Sequence, residues 1–284
     1  MITVAGTSLF HSDVTGKVIT LDSVNAMTGA VSITHTGSAN VAIDNGTTAL
    51  NLGTVGVGQN FEARSGNGIT DSGVITVAGT SLFHSDVTGK VITLDSVHAM
   101  TGAVSITHTG SADVAIDNGT TALNLGTVSA GQNFSATSGA GITDSGVITV
   151  AGTGTFVTDV DDIDIVLDSN NAITGALTFT TQTSGSTNGA DITFDNGSTA
   201  ISLAAFTTEG NLTLQTDAAI ALTGHTVNGD LAVTSAGAIS QSAALTVSGT
   251  SSFTSTGSNN NITLSTDSNA LTGAVSASTV GSSG

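Results

Sequence analysis

Hydrophobic and polar residues alternate along much of the chain, in short runs separated by turns rich in Gly, Ser, Asn and Asp. In residues 91–94 (VITL) and 103–107 (AVSIT) every second residue is apolar, as in a strand with one buried face. No window of the sequence has sustained helical periodicity, and none approaches the roughly 18 consecutive apolar residues of a membrane-spanning helix. The pattern predicts an all-β protein.

These runs belong to a long internal repeat. ITVAGT begins at Ile2, Ile75 and Ile148, at a constant interval, and a related LTVSGT begins at Leu245. A fixed period of this kind is typical of a solenoid, in which each repeat completes the core of its neighbours. We predict a single β-solenoid domain over residues 1–284, made of repeats 1–73, 74–146 and 147–243 and a partial repeat 244–284.

Turns divide each repeat further. In the second repeat, apolar runs open at Val74, Val91, Asp113 and Gly131. This spacing predicts four coils per repeat, and hence about 15 coils of roughly 18–19 residues in the whole chain.

The third repeat is longer than the first two. Five extra residues enter near Gly185, as a surface loop at a corner would allow. GNL at Gly210 then recurs as GDL at Gly229, and the pattern resumes in register, which predicts one added coil.

Bulky apolar residues recur at matched positions, and we expect them to form interior stacks. Gly in the TGA, DNG and SG segments is expected to supply positive φ at the corners. The two sets of bulky residues are Phe10, Phe83, Phe156 and Phe253, and Phe61, Phe134, Leu212 and Leu231.

A family resemblance covers essentially the whole chain. ITVAGTSLF (2–10), VITLDS (18–23), NLTLQTDAAIALTG (211–224) and DLAVTSAGAISQSAALTVSGT (230–250) resemble the shaft repeats of filamentous-haemagglutinin-like large exoproteins. These are bacterial surface and secreted proteins exported by two-partner secretion, and related repeats occur in autotransporter-type adhesins. The resemblance implies a right-handed parallel β-helix, an extracellular or outer-membrane location, and an outer-membrane secretion partner for the full-length protein. Met1 enters the repeat in mid-pattern, so we expect a segment of a longer array.

Charge limits the partners of this chain. Its formal net charge is -18, with only three basic residues, so nucleic acid is not an expected partner. The chain has no Cys, which excludes disulfides and thiolate metal sites.

The most distinctive cluster is DVDDID, which replaces DVTGKV of the earlier repeats. Its carboxylates, those of Asp159, Asp161, Asp162 and Asp164, are a candidate calcium site, because Ca²⁺ prefers oxygen ligands. The spacing matches neither an EF-hand nor a calcium-binding β-roll, and a solvated acidic corner is the alternative. The carboxylates of the three DNG segments (Asp44, Asp117 and Asp195) are interpreted as turn residues.

Histidines recur with the repeat. His11 and His84 are equivalent, as are His35 and His108, and the third repeat has Val157 and Thr181 in their places. An active site is assembled once from unlike residues. We therefore expect these four histidines to be exposed side chains, and neither catalytic bases nor metal ligands.

Two weak corner ion pairs are also expected, because each lysine of the chain follows an aspartate at the same short spacing. The pairs are Lys17 with Asp13 and Lys90 with Asp86.

The sequence thus favours the shaft of an adhesin, a rigid spacer with weak binding of host-cell glycans or surface receptors. A carbohydrate-active β-helix enzyme is the alternative, but the chain lacks the Trp and Tyr platforms that bind sugars. We expect no enzymatic activity. Exposed strand edges at the ends predict end-to-end self-association into filaments as a further alternative.

Overall fold

The computed structural model describes residues 1–85, 87–182, 189–266 and 268–281. These residues form parallel strands joined by turns, without a helix among them. The predicted all-β parallel solenoid is therefore confirmed, with about 14 turns. None of the described residues belongs to a helix that could span a membrane. Contacts divide the chain into two units, Met1–Ala140 and Gly141–Gly284.

The described residues of unit 1 form short strands, most of them of two to five residues. They are β1 (Thr3–Val4), β2 (Ser8–Ser12), β3 (Ile19–Leu21), β4 (Ala26–Met27), β5 (Val31–His35), β6 (Val41–Asp44), β7 (Leu50–Val57), β8 (Phe61–Ser65), β9 (Ile69–Asp71), β10 (Ile75–Val77), β11 (Ser81–Ser85), β12 (Ile92–Leu94), β13 (Ala99–Met100), β14 (Val104–His108), β15 (Val114–Asp117), β16 (Leu123–Ala130) and β17 (Phe134–Ser138).

The strands of unit 1 form three parallel stacks, one for each side of the solenoid. Stack A contains β2, β5, the end of β7, β10 and β13; stack B contains β3, β6, β8, β11, β14 and the end of β16; stack C contains the start of β7, β9, β12, β15 and β17. The long strand β7 crosses a corner, since Leu50 pairs with Ile69 and Val55 pairs with Ile75. Strands β1 and β4 form a separate pair.

Identical segments of successive repeats lie in different stacks. SLFHS is β2 of stack A in the first repeat and β11 of stack B in the second. Along stack B, three pairings lead from Ile19 through Val41 and Phe61 to Ser81. The chain advances by one side from β2 to β3, and three full turns then lead from β3 to β11, the copy of β2 in the next repeat. One repeat therefore makes three full turns and a further third of a turn.

The turns are thus longer than the sequence predicted, and the prediction of four coils per repeat was wrong. The turn is short where Leu50 pairs with Ile69 and longer where Ser81 pairs with Val104. The physical reason is that the four apolar runs do not all lie on the same side of the solenoid. The first leads into β10 of stack A, whereas the next three lead into β12, β15 and β17 of stack C, so the first interval is less than a full turn.

The bulky apolar residues lie in the core, where Leu212 and Leu231 stack in register as expected but the phenylalanines of one set do not stack on one another. Phe83 and Phe61 are buried, as are their equivalents in the later repeats, whereas Phe10 is half-buried. Phe83 lies in register between Ala63 and Ile106, not between other copies of itself. The rings of Phe61 and Phe83, which belong to different sequence sets, pack edge to face at 5.9 Å. The rotation of successive repeats by one side explains this difference.

Buried asparagines satisfy the backbone where the chain turns a corner. Asn45 Oδ1 accepts the Met27 N–H at 2.8 Å, and its Nδ2 donates to carbonyls of Met27, Thr48 and Ala49. Asn118 makes the same four contacts one repeat later. An unpaired backbone group inside the core costs about 1–3 kcal/mol, so these side chains stabilise corners that have no strand partner.

Glycines serve two different purposes. The DNG glycines have positive φ as predicted, at 56° for Gly46, 55° for Gly119 and 52° for Gly197. Neither the TGA glycines nor the described SG glycines have positive φ, so the prediction was wrong for both segments. A Cβ at Gly102 would overlap the carbonyl oxygen of Gly79 one turn below. Close approach of stacked backbones therefore requires glycine at this corner.

Unit 2 contains the remaining strands. They are β18 (Ile142–Asp144), β19 (Ile148–Val150), β20 (Gly154–Asp161), β21 (Ile165–Leu167), β22 (Ala172–Ile173), β23 (Leu177–Gln182), β24 (Ile192–Asp195), β25 (Ile201–Ser202), β26 (Thr207–Thr208), β27 (Leu212–Thr216), β28 (Ile220–Leu222), β29 (Thr226–Val227), β30 (Leu231–Ser235), β31 (Ile239–Gln241), β32 (Thr246–Val247), β33 (Ser251–Ser258), β34 (Ile262–Thr263), β35 (Ala270–Leu271) and β36 (Val275–Val280).

Three stacks also run through unit 2. The longest begins with β18, β21 and β24 and continues through β27, β30, β33 and β36; the others are β25–β28–β31–β34 and β26–β29–β32–β35. Leu212 pairs with Leu231, so the segment added to the third repeat makes one turn, as predicted. A longer turn joins Ile165 to Ile192. It contains the insertion near Gly185, which lies outside the described residues.

Replacement of Gly102 by Ala should destabilise unit 1 by about 1–3 kcal/mol or more, because backbone atoms of the turn below must move. Gly56→Ser is the control: a Cβ there meets nothing within 4 Å, and the second repeat has Ser129 at this position. Urea unfolding followed by circular dichroism measures both variants. Equal unfolding midpoints for Gly102→Ala and the wild type would contradict the steric explanation.

Candidate functional site

The predicted acidic cluster lies at a corner of unit 2. β20 ends at Asp161, Asp162 has a φ of 59°, and Asp164 directly precedes β21. These three side chains and that of Asp159 are exposed. Asp164 Oδ1 accepts the N–H of Asp191, one turn later, at 2.8 Å. One of the four candidate carboxylates therefore caps a neighbouring turn.

This contact begins a ladder of side chains along the corner. Asp191 Oδ1 accepts the Asn211 N–H at 2.6 Å, Asn211 Oδ1 accepts the Asp230 N–H at 2.8 Å, and Asp230 Oδ1 accepts the Thr250 N–H at 2.6 Å. The shallow depression beside it, of about 420 Å³, is lined by Asp162 and by rungs of the ladder. Each of these hydrogen bonds, the rungs of the ladder, joins two adjacent turns through residues that directly precede a strand.

In the described parts of the chain, no three acidic or histidine side chains lie close enough together to hold a metal ion. The carboxylate of Asp164 is already engaged by a backbone amide, as a capping residue would be. Calcium binding by Asp159, Asp161, Asp162 and Asp164 stays a prediction from sequence.

The DNG aspartates are turn residues, as predicted. Asp44, Asp117 and Asp195 each accept, through Oδ1, the N–H of the glycine that closes the segment, at 2.7, 2.7 and 2.8 Å. Such a side chain closes the turn that places the intervening asparagine in the core.

The expectation that His35 and His108 are exposed was wrong, because both are buried. His35 Nδ1 lies 3.0 Å from the Gly37 carbonyl oxygen, and its Nε2 contacts the Lys17 carbonyl oxygen. His108 makes the same contacts with Gly110 and Lys90. A ring with two polar nitrogens can bridge backbone groups of adjacent turns, so these histidines are structural.

The expected pairing of Lys17 with Asp13 is also replaced. Asp13 lies 2.8 Å from Nε2 of the half-exposed His11. No Lys17–Asp13 ion pair occurs in the described residues. The second expected pair, of Lys90 with Asp86, cannot be placed because Asp86 lies outside the described residues.

The buried His98 of the second repeat takes the place of the buried Asn25 of the first repeat. Asn25 Oδ1 accepts the Ile2 N–H at 2.8 Å, and His98 Nδ1 accepts the Ile75 N–H at 3.0 Å. The neutral His98 ring thus carries its proton on Nε2, 3.7 Å from Oδ1 of the buried Asp71. Burial lowers the pKa of His98, and the nearby carboxylates, chiefly that of Asp71, oppose this shift.

Asn171 occupies the same position in the third repeat, within unit 2. Its Oδ1 accepts the Ile148 N–H at 2.7 Å, and its Nδ2 donates to Asp144 Oδ2 at 2.7 Å. Burial raises the pKa of Asp144, while hydrogen bonds from Asn171 and from the Ser169 and Asp168 amides oppose the shift. A buried polar pair at this position is therefore a feature of both units.

Another buried histidine, His225, lies in the core of unit 2. Its ring packs against Phe206 with centroids 4.8 Å apart. Burial lowers the pKa of His225 to about 4. Its Nδ1 has no hydrogen-bond partner among the described residues. The ring is therefore neutral near pH 7, and its protonation must oppose folding.

The most singular surface of unit 1 lies on the outer side of stack B. We call it the charged face: Asp22, Asp44, Glu62, Arg64 and His84. The backbone register places Asp44 beside Arg64 and Arg64 beside His84 in consecutive turns. Arg64 Nε donates to Glu62 Oε1, and these two side chains remain 44% and 38% exposed.

Shallow depressions flank Arg64 on both sides. One, of about 340 Å³, is lined by Asp22, Asp44, Glu62 and Arg64; the other, of about 400 Å³, lies between Arg64 and Val87. The charged face offers guanidinium donors and carboxylate acceptors to a ligand lying across successive turns. It holds three carboxylates and one guanidinium, so polyanions would be repelled.

Sequence reasoning missed this face, although a signal for it was present. The first two repeats are nearly identical, yet Glu62 and Arg64 are replaced by Ser135 and Thr137. Substitutions in an otherwise copied surface mark positions where the copies differ in chemistry. We took repetition as evidence against a site, and this group of residues occurs only once in the chain.

Fold and site together define a repeat β-solenoid with a structural ladder and one charged face. The family model described as repeats of unknown function (DUF5649) matches residues 38–107, 111–180 and 209–278. These matches cover most of the chain, so the protein belongs to that family. No curated protein and no solved structure gave a match.

The free energy of unfolding of unit 2 should fall as the pH is lowered through the range in which His225 of the unfolded chain takes up a proton. The folded pKa of about 4 lies below the unfolded value of 6.5, so the unfolded state takes up the proton first. Between about pH 7 and about pH 5 this costs about 2 kcal/mol. His225→Leu, which copies Leu245 of the same stack, should remove that loss in urea unfolding measured across this range. Parallel pH profiles for the variant and the wild type would contradict the assignment.

Proposed function

We propose that this chain is a shaft segment of a bacterial surface or secreted exoprotein, a rigid spacer that also contacts host-cell glycans or surface receptors. The observation that supports the spacer role is the pairing of strands turn upon turn within each unit. Every turn added to such a stack buries the core of the previous one and extends the stack by about 4.8 Å. Length is then set by the number of repeats.

The extracellular address rests on the sequence resemblance and agrees with the composition. A chain with 21 acidic and three basic residues repels nucleic acid and anionic lipid. For the full-length protein, an outer-membrane secretion partner belongs to the same proposal.

Adhesion is assigned to the charged face. Sugar hydroxyls both donate and accept hydrogen bonds, and Arg64, Glu62 and Asp44 provide both kinds of partner next to two depressions. The face lacks an aromatic platform, so we expect weak binding that gains strength only from multiple contacts. Neutral glycans fit it better than sulfated or sialylated ones, because its net charge is negative.

Binding of the purified chain to a glycan panel and to host-type cells tests the adhesion proposal. We expect saturable binding of neutral glycans that Glu62→Ser with Arg64→Thr abolishes. The double variant copies Ser135 and Thr137 of the second repeat, so it should fold as the wild type does. Binding that survives this double substitution would remove the charged face from the proposal, and no binding by the wild type would remove adhesion altogether.

The same panel with and without Ca²⁺ tests the acidic corner. A calcium-dependent signal should disappear when Asp159, Asp161, Asp162 and Asp164 are all replaced by Asn, with the charged face intact. A signal indifferent to Ca²⁺ and to these substitutions would leave the corner a capping structure.

Deletion of residues 74–146 tests the spacer role. The deletion joins Gly73 to Val147, which reproduces the natural Gly–Val junction of the repeats. Because turns contact only their neighbours, the shortened chain should keep the same circular dichroism per residue and still reach the cell surface. Loss of folding or of surface labelling in the native cell would count against a modular spacer.

A further inference from the structure

Six Asn-Gly pairs occur in the sequence, and the structure places them in very different surroundings. Asn followed by Gly is the pair most prone to spontaneous loss of the side-chain amide, because glycine lets the backbone nitrogen approach the side chain freely. The pairs begin at Asn45, Asn67, Asn118, Asn188, Asn196 and Asn228, of which Asn188 lies outside the described residues.

Three of these pairs are locked in the core. Asn45, Asn118 and Asn196 are fully buried, and each side-chain amide donates to two or three carbonyls. The N–H of the following glycine donates to the Oδ1 of the preceding aspartate, at 2.7–2.8 Å. Both reacting groups are therefore held in place, and reaction requires the corner to open first.

The pair at Asn228 is locked in another way. Its side chain is exposed, but the Gly229 amide donates to the Gly210 carbonyl at 3.1 Å. A Cβ at Gly229 would overlap Asn211 and the backbone of Gly210, so this glycine lies close to the turn below. The nitrogen that would react is therefore held inside the corner of unit 2.

Asn67 lacks both kinds of hydrogen-bond restraint: among the described residues the Gly68 N–H has no hydrogen-bond partner, although Gly68 itself is buried. Asn67 lies half-exposed in the tight turn after β8, and among the described residues its side-chain amide has no hydrogen-bond partner. Gly68 adopts a φ of 90°. The second repeat has Ala140 at the equivalent position, so nothing in the fold requires an asparagine there.

We propose that Asn67 is a site of spontaneous deamidation in the folded chain. A solvent base removes the Gly68 amide proton, and the Gly68 nitrogen attacks Cγ of Asn67. The bond from Cγ to the side-chain nitrogen breaks, ammonia leaves, and a five-membered succinimide forms. Water then opens the ring to aspartate or isoaspartate, without oxidation or reduction. The product adds a carboxylate just beyond the strand that carries Glu62 and Arg64.

Trypsin makes this site simple to follow. The only basic residues are Lys17, Arg64 and Lys90, so the digest contains residues 65–90, with Asn67 as their one Asn-Gly pair. Residues 18–64 contain the pair at Asn45 as the matched internal control. The intact chain is incubated in mildly alkaline buffer, digested at intervals, and analysed by mass spectrometry that separates aspartate from isoaspartate.

We expect deamidation at Asn67 to be at least about tenfold faster than at Asn45, since the buried pair reacts only through local opening. In denaturant the two rates should become similar. Asn67→Ala should abolish the modification of residues 65–90 and leave the unfolding midpoint unchanged, as Ala140 of the second repeat indicates. Equal rates at Asn67 and Asn45 in the folded chain, or modification of residues 65–90 that persists in Asn67→Ala, would overturn the proposal.

Discussion

Every turn of this protein depends on the turns beside it for its backbone hydrogen bonds. A strand of two or three residues, such as β4 or β9, cannot persist alone, since its N–H and C=O groups bond only to neighbouring turns. The corners are the weak points, because strands end there. The side chain of Asn45 accepts a backbone N–H inside the core, and that of Asp191 accepts one on the outer surface. The abundance of Asn, Asp and Gly follows from this single requirement.

The sequence was sufficient for the strands and for the parallel stacking, because alternation and a long, constant repeat are strong signals. It was insufficient for the length of a turn. Ala26–Met27 is too short to show a period of two, and a long strand such as β7 joins two sides without an intervening turn signal. Apolar runs therefore do not reveal which side of the solenoid they occupy, whereas the register of paired strands does.

Polar residues were harder to place than apolar ones. His35 and His108 repeat faithfully, and repetition alone does not distinguish an exposed side chain from one that contacts buried backbone groups. The same residue type is half-exposed at His11 and fully buried at His98. What separates them is the presence of backbone groups without strand partners nearby, which only the fold reveals. The charged face was missed for a related reason: its residues come from four successive turns, which are brought together only by stacking.

The fractional number of turns per repeat has a consequence for how such a surface can work. A repeat of a whole number of turns would place Glu62 and Ser135 on the same side, and copied side chains would form a straight row. With an extra third of a turn, the equivalent strands β8 and β17 fall in stacks B and C. Duplication therefore cannot build a continuous row of identical contacts along one side of unit 1. A binding surface here must be assembled from unlike residues of neighbouring turns, and the charged face, with Asp44, Arg64 and His84 in register, is assembled in that way.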